Sequence, residues 1–217
     1  MNKHEDTILA LIAGYVDTVG FVALFGLFTA HVTGNFVLIG AEFAGGGQGV
    51  LLKLLAFPSF IVGIALSSVI FKFLERNHPA DTASALYLFQ AMLLVSFLVT
   101  GLIATPIKAS NASMVLVCGV LGTMAMGVQN ARGRLLMVTG LPNTVMTGNV
   151  TQIVLDVIEL IHRGAAGGHG QQVRGRLQST LAAMCGFVVG AVGGALTYVE
   201  FSFLAITFPV AILLFLA

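Results

Sequence analysis

Apolar residues in this chain come in long unbroken runs separated by short polar punctuation, and the runs do not alternate with period two. "TILALIAGYVDTVGFVALFGLF" (Thr7 to Phe28), "VLLKLLAFPSFIVGIALSSVIFKFL" (Val50 to Leu74) and "ASALYLFQAMLLVSFLVTGLIA" (Ala83 to Ala104) each reach the length a helix needs to cross hydrocarbon. "SMVLVCGVLGTMAMGV" with its flanks, "LQSTLAAMCGFVVGAVGGALTY" (Leu177 to Tyr198) and the shorter "FSFLAITFPVAILLFLA" (Phe201 to Ala217) continue the series. The pattern predicts an all-α polytopic membrane protein rather than a barrel.

Composition agrees. Of 217 residues 57% are hydrophobic and 9% charged, against about a quarter charged in soluble domains. The first run exceeds the apolar core of a signal peptide and carries Asp17, so it reads as a retained span. Cys118 and Cys185 fall inside spans as packing residues. A net charge of +1 gives no reason to invoke nucleic acid. With six spans, Lys3, Lys72, Arg76, Arg163, Arg174 and Arg176 collect on one side, against Lys53 and Lys108 on the other. Arg132 and Arg134 are left out of that tally. The balance predicts cytoplasmic termini.

The tripeptide Thr33-Gly34-Asn35 returns as Thr147-Gly148-Asn149. Aligned on it, "GYVD" (Gly14 to Asp17) falls against "GVQN" (Gly127 to Asn130) after a one-residue adjustment. Glu42 and Asp156 each follow the asparagine by seven residues, and "FIVGIAL" (Phe60 to Leu66) matches "FVVGAVG" (Phe187 to Gly193). Residues 1–108 and 109–217 therefore read as two copies of one unit, in a single transmembrane domain. Three crossings per copy place the second upside down, and inverted repeats with interrupted helices are associated with secondary transporters.

Glycine weakens a helix, while threonine and asparagine can satisfy the backbone groups a break leaves free. Each TGN thus predicts a break followed by a helix whose N-terminus points inward, with asparagine as cap. Gly140 and Pro142 strengthen the second break. Such ends favour anions and polar ligands; the competing reading is that TGN only caps two short helices and packs them against neighbours.

Asp17 lies deep in a span, where a carboxylate needs a partner. Arg132 or Arg134 is the expected one, either to lock two helices or to form a ligand- or proton-linked site. Depth leaves Arg132 two placements, near the middle by the repeat or at the membrane edge by counting along its helix. Gln129, Asn130, Asn143 and Thr144 cluster near the second break and are candidates to line a polar cavity. His31 is a candidate proton carrier. Glu42 is expected at the water interface, and Gln152, Asp156, Glu159 and Arg163 share a helical face expected to meet water or headgroups. Gly186, Gly190 and Gly194, with Ala10, Gly14, Thr18 and Gly119, Thr123, Gly127, form small-residue faces for internal packing or a homodimer.

"GYVDTVGFVALFGLFTAHVTGN" and "MGVQNARGRLLMVTGLPNTVMTGNVTQI" resemble the YoaK family of bacterial inner-membrane proteins, catalogued as of unknown function. The resemblance implies a six-span protein of the bacterial cytoplasmic membrane and supplies no substrate. The resulting expectation is a small-solute transporter without cofactor or metal. Its central site would be drawn from Asp17, Thr33, Gly34, Asn35, Gln129, Asn130, Arg132, Asn143, Thr147, Gly148 and Asn149, with an anion slightly favoured. No catalytic motif marks an enzyme. The competing expectations are a structural or partner-binding membrane subunit and, behind it, an enzyme acting on lipid.

Overall fold

The computed structural model describes residues 3–45, 47–136, 146–163 and 167–217. They form helices α1 (Lys3–Ala23), α2 (Gly34–Phe43), α3 (Val50–Asn77), α4 (Thr82–Ala104), α5 (Ser113–Leu135), α6 (Met146–Arg163), α7 (Gly167–Phe201) and α8 (Thr207–Leu216). Two 3-10 turns, Pro79–Asp81 and Ser202–Ile206, precede α4 and α8. Five segments are long and apolar enough to cross a membrane: His4–Ala23, Val50–Arg76, Pro79–Ala104, Ser113–Leu135 and Gly168–Leu216. The last contains both α7 and α8. The helix α7 starts at Gly167, ten residues before the apolar run at Leu177, so the polar residues ahead of that run are helical as well.

Glycine fixes how the helices meet. Gly186 lies against the Thr7 carbonyl, Gly190 against that of Leu11 and Gly194 against that of Tyr15, each too close to admit a Cβ. The numbers rise together, so α1 and α7 run parallel. In the same way Gly119 meets Leu52 and Gly127 meets the Phe60 carbonyl, making α3 and α5 parallel. Arg132 pairs with Glu5, and the Gln129 side chain reaches the Leu9 carbonyl, so α5 runs opposite to α1.

These crossings match in detail. Gly14 sits on the Phe187 carbonyl and Gly127 on that of Phe60; Gly190 sits on the Leu11 carbonyl and Gly63 on that of Met124. They are the same positions that align between the two halves of the sequence. The small-residue faces are therefore used inside the molecule, where backbone-to-backbone approach replaces the hydrophobic drive that lipid does not supply.

The face of α1 where the chain begins is called near, and the face where α1 ends is called far. From the far end at Ala23 the chain does not continue outward. The backbone N–H groups of Ala30 and His31 donate to Asp17, six residues back along α1, or about 9 Å inside its end. The helix α2 then climbs back until Glu42 meets Lys53, whose ammonium also donates to the Phe25 carbonyl. Residues 24–43 thus leave the far face, dip inward and return to it. At 10 residues, or about 15 Å, α2 is too short to cross a bilayer.

Candidate functional site

The first TGN stands at the inner tip of this dip. Thr33 precedes α2 without a side-chain cap bond, so the expected asparagine cap is not what forms. Asn35 lies inside the first turn and turns away from the helix. Its amide donates to the Phe28 carbonyl at 2.8 Å and its oxygen accepts the Phe28 N–H at 3.0 Å. One buried side chain thereby satisfies both backbone groups of a residue outside any regular element. Gly34 leaves room for the rings of Phe28 and His31, which a Cβ would strike.

Asp17 does not pair with Arg132 or Arg134. Its Oδ1 accepts the Ala30 N–H at 2.7 Å, the Thr29 hydroxyl at 3.3 Å and the His31 N–H at 3.4 Å. Amides aimed at one point form the kind of concavity that binds anions, and here the protein's own carboxylate occupies it. His31 and Thr33 remain exposed beside this tip, while Asp17 and Asn35 are buried.

Arg132 belongs to a second cluster. It is 2% exposed, pairs with Glu5 and stacks 4.0 Å above the Tyr87 ring, whose hydroxyl also donates to Glu5. Glu5 is twelve residues before Asp17, about 18 Å along α1. Arg132 therefore lies level with the first turn of α1, not level with Asp17. One turn deeper, Gln90 donates to Gln129 at 2.8 Å and Gln129 to the Leu9 carbonyl at 2.7 Å. Asn130 is half-buried beside them.

Asn130 is therefore level with about residue 8 or 9 of α1, some 12 Å in depth from Asp17. The intervening stretch of α1 and α5 is lined by Ala10, Ile12, Ala13, Val16, Ala125, Met126 and Val128, all buried. The predicted residues are thus split between separate polar centres, not joined in one.

The second TGN opens α6 as the first opens α2. Thr147 and Gly148 are exposed and Asn149 is buried, the same sides that Thr33 and Asn35 take. Asn143 and Thr144, with Gly140 and Pro142, lie outside the described residues. Farther along, the expected solvent-facing face of α6 is corrected. Asp156 is buried against Arg176, with Nη2–Oδ1 2.5 Å and Nε 3.1 Å from both carboxylate oxygens, and Gln152 adds a bond at 2.8 Å. The bond from Arg176, with that from Gln152, holds the Asp156 carboxyl below the usual carboxylate range despite its burial. Glu159 meets His169 at 2.7 Å.

Glu42 is corrected likewise. Its side chain is 5% exposed and Oε1 lies 2.5 Å from the Nζ of Lys53, itself 2% exposed. Lys53 and Arg176 count in the sequence only toward the topology, and Glu5, Tyr87 and Gln90 are not among the expected site residues. The lone glutamine in "LYLFQAMLLV" and the lone lysine in "VLLKLLAF" were the available signals, since isolated polar residues in a span need partners.

The family described as "Protein of unknown function (DUF1275)" matches residues 7–217. The chain is a DUF1275 protein. It is also 29% identical over 153 residues to "UPF0700 transmembrane protein YoaK" of Bacillus subtilis (strain 168), covering 70% of this chain and 65% of that relative. The matched region is thus just under two thirds of the relative's length. No solved structure matches the chain. The membrane assignment of this DUF1275 chain and its likeness to YoaK agree with its apolar helices.

Proposed function

We propose that this DUF1275 protein is a secondary transporter of a small polar solute in a bacterial inner membrane. Its halves, about 1–108 and 109–217, are inverted repeats, each with three spans and one re-entrant half-helix, the last span being the 3-10 turn Ser202–Ile206 continued by α8, and its termini are cytoplasmic. The observation that supports this reading is the dip of residues 24–43. Non-helical backbone at membrane depth is tolerated only where protein buries it or where it lines a wet cavity, and His31 and Thr33 are exposed at this tip. The matched glycine crossings support the repeat, because parallel α1–α7 and α5–α3 pairs related in this way require halves of opposite sense.

Within this reading the roles divide. Thr33, Gly34, Thr147, Gly148 and His31 face the solute path, while Asp17 and Asn35 are positioning residues that hold the first tip in shape. The anion preference rests on the second half. Helix N-termini favour anions, and in the second half neutral Asn130 aligns with Asp17. The test is thermal: purified protein in detergent is melted against a panel of small anions, cations, amino acids and aromatic metabolites. A ligand that binds only the folded form raises the melting temperature with its excess over Kd, and it is then carried into proteoliposome uptake. A stabilising anion whose effect is lost in Thr147→Val supports the reading; no stabilising solute across the panel removes it.

A structural or partner-binding subunit is the second reading. It is favoured by Asp17 and Asn35, whose side chains are engaged in tying down the 28–31 backbone. Solute uptake by proteoliposomes separates the two.

A further inference from the structure

We propose that the buried Glu42–Lys53 pair is a latch that closes the first half-helix at the far face, with Asp156–Arg176 as its counterpart at the near face. This rests on the transport reading. Among the described helices, α2 packs on α3 alone and α6 on α7 alone. Each half-helix is therefore carried by the span that follows it, and one acid–base pair ties the two together.

Lys53 concentrates that closure on a single ammonium. Nζ donates to Phe25 O at 2.6 Å, to Glu42 Oε1 at 2.5 Å and to Gln48 O at 3.0 Å, which uses all the donors a lysine has. These acceptors belong to the turn after α1, the last turn of α2 and the turn before α3, so one nitrogen joins three segments at the far opening of the dip. Gly26 and Gly49, both at positive φ, shape the turns on either side of it.

The pair is not a saturated structural bridge. Glu42 Oε2 is buried and makes no hydrogen bond among the described residues. A stranded polar atom of this kind opposes closure, and exposure to water relieves it. The near-face pair differs. The Asp156 carboxylate receives bonds from Arg176 and Gln152, but Arg176 is 42% exposed. One latch is sealed from water and the other faces it, the asymmetry of a protein closed on one side and accessible from the other.

The test needs no solute. In the full chain with Cys118 and Cys185 replaced by alanine, Thr33→Cys or Thr147→Cys is labelled by a membrane-impermeant maleimide. The reagent is applied separately to each face of sealed, oriented vesicles. Glu42→Gln, which leaves both carbonyl bonds of Lys53 available, raises Thr33→Cys labelling from the far face severalfold and lowers Thr147→Cys labelling from the near face. Asp156→Asn does the reverse. Unchanged rates, or a rise at both faces, overturn the latch. Should Glu42→Gln fail to reach the membrane, Glu42→Asp, which shortens the arm and keeps the charge, is read in the same assay against the same outcomes. A labelling shift in a protein that moves no solute defeats the transport reading and leaves the latch. Uptake together with unchanged labelling defeats the latch alone.

Discussion

Asn35 grips Phe28 by both its backbone groups, donating to the carbonyl at 2.8 Å and accepting from the N–H at 3.0 Å. The repeated asparagine of the sequence, which follows threonine and glycine, thus acts seven residues upstream of itself. Its side chain satisfies the backbone of an irregular segment that folds back alongside α1. Asn35→Ala strands both groups at about 1–3 kcal/mol each. The melting temperature of the detergent-solubilised variant falls well below wild type, whereas Thr33→Ala, with no cap bond to lose, melts close to wild type.

Asp17 separates a positioning carboxylate from a proton carrier. An asparagine oxygen can still accept the Ala30 N–H, and Asn130 holds this place in the second half. Asp17→Asn therefore keeps its fold and retains solute uptake, while Asp17→Ala loses both. Uptake abolished in a stably folded Asp17→Asn would return the residue to a proton-linked role.

Arg132 pairs with Glu5 near the start of α1, away from Asp17. Removing one partner of a buried pair costs about 3–5 kcal/mol, and the low end applies because Glu5 keeps 20% exposure. Arg132→Gln lowers the melting temperature accordingly but leaves the KM of uptake unchanged. A raised KM with an unaltered melt would place Arg132 at the solute.

The glycine crossings predict a sharp contrast between positions. Gly190→Ala pushes a methyl into the Leu11 carbonyl, an overpacking worth about 1–3 kcal/mol, and Gly63→Ala does the same against Met124. Gly40, on α2, has nothing within 4 Å of a built Cβ, so Gly40→Ala raises the melting temperature through the better helix propensity of alanine. Parallel melts of these variants check it.

Much of this was legible in the sequence because lipid imposes simple rules. Apolar runs such as Ala83 to Ala104 had to be helices, and the repeated TGN had to mark helix starts. The aligned positions Gly14 and Gly127 meet Phe187 and Phe60 across the molecule, contacts that the alignment alone does not specify. Partner choice was not legible. Asp17 and Arg132 are the obvious opposite charges within the spans, yet Asp17 is satisfied by amides thirteen and fourteen residues on. Arg132 is taken by Glu5, one of two acids in the first turn of α1. A charge in a membrane protein accepts any dipole that reaches it, and which one does depends on how far the backbone folds back. Glu42 and Lys53 were misjudged for the same reason, one as an interface residue and the other as a topology marker, because the dip that brings them together leaves no trace in hydropathy.

The central claim is that the two TGN tips are wet and that each is reached from its own face of the membrane, the first more slowly while the Glu42–Lys53 latch holds. Maleimide labelling of Thr33→Cys and Thr147→Cys in oriented vesicles, with the latch pairs intact, tests it most directly. The account predicts that Thr33→Cys reacts only from the face where α1 ends and Thr147→Cys only from the face where it begins, while Val37→Cys on the apolar side of α2 reacts from neither. Both tips reacting from the same face, or neither reacting from any, would contradict it.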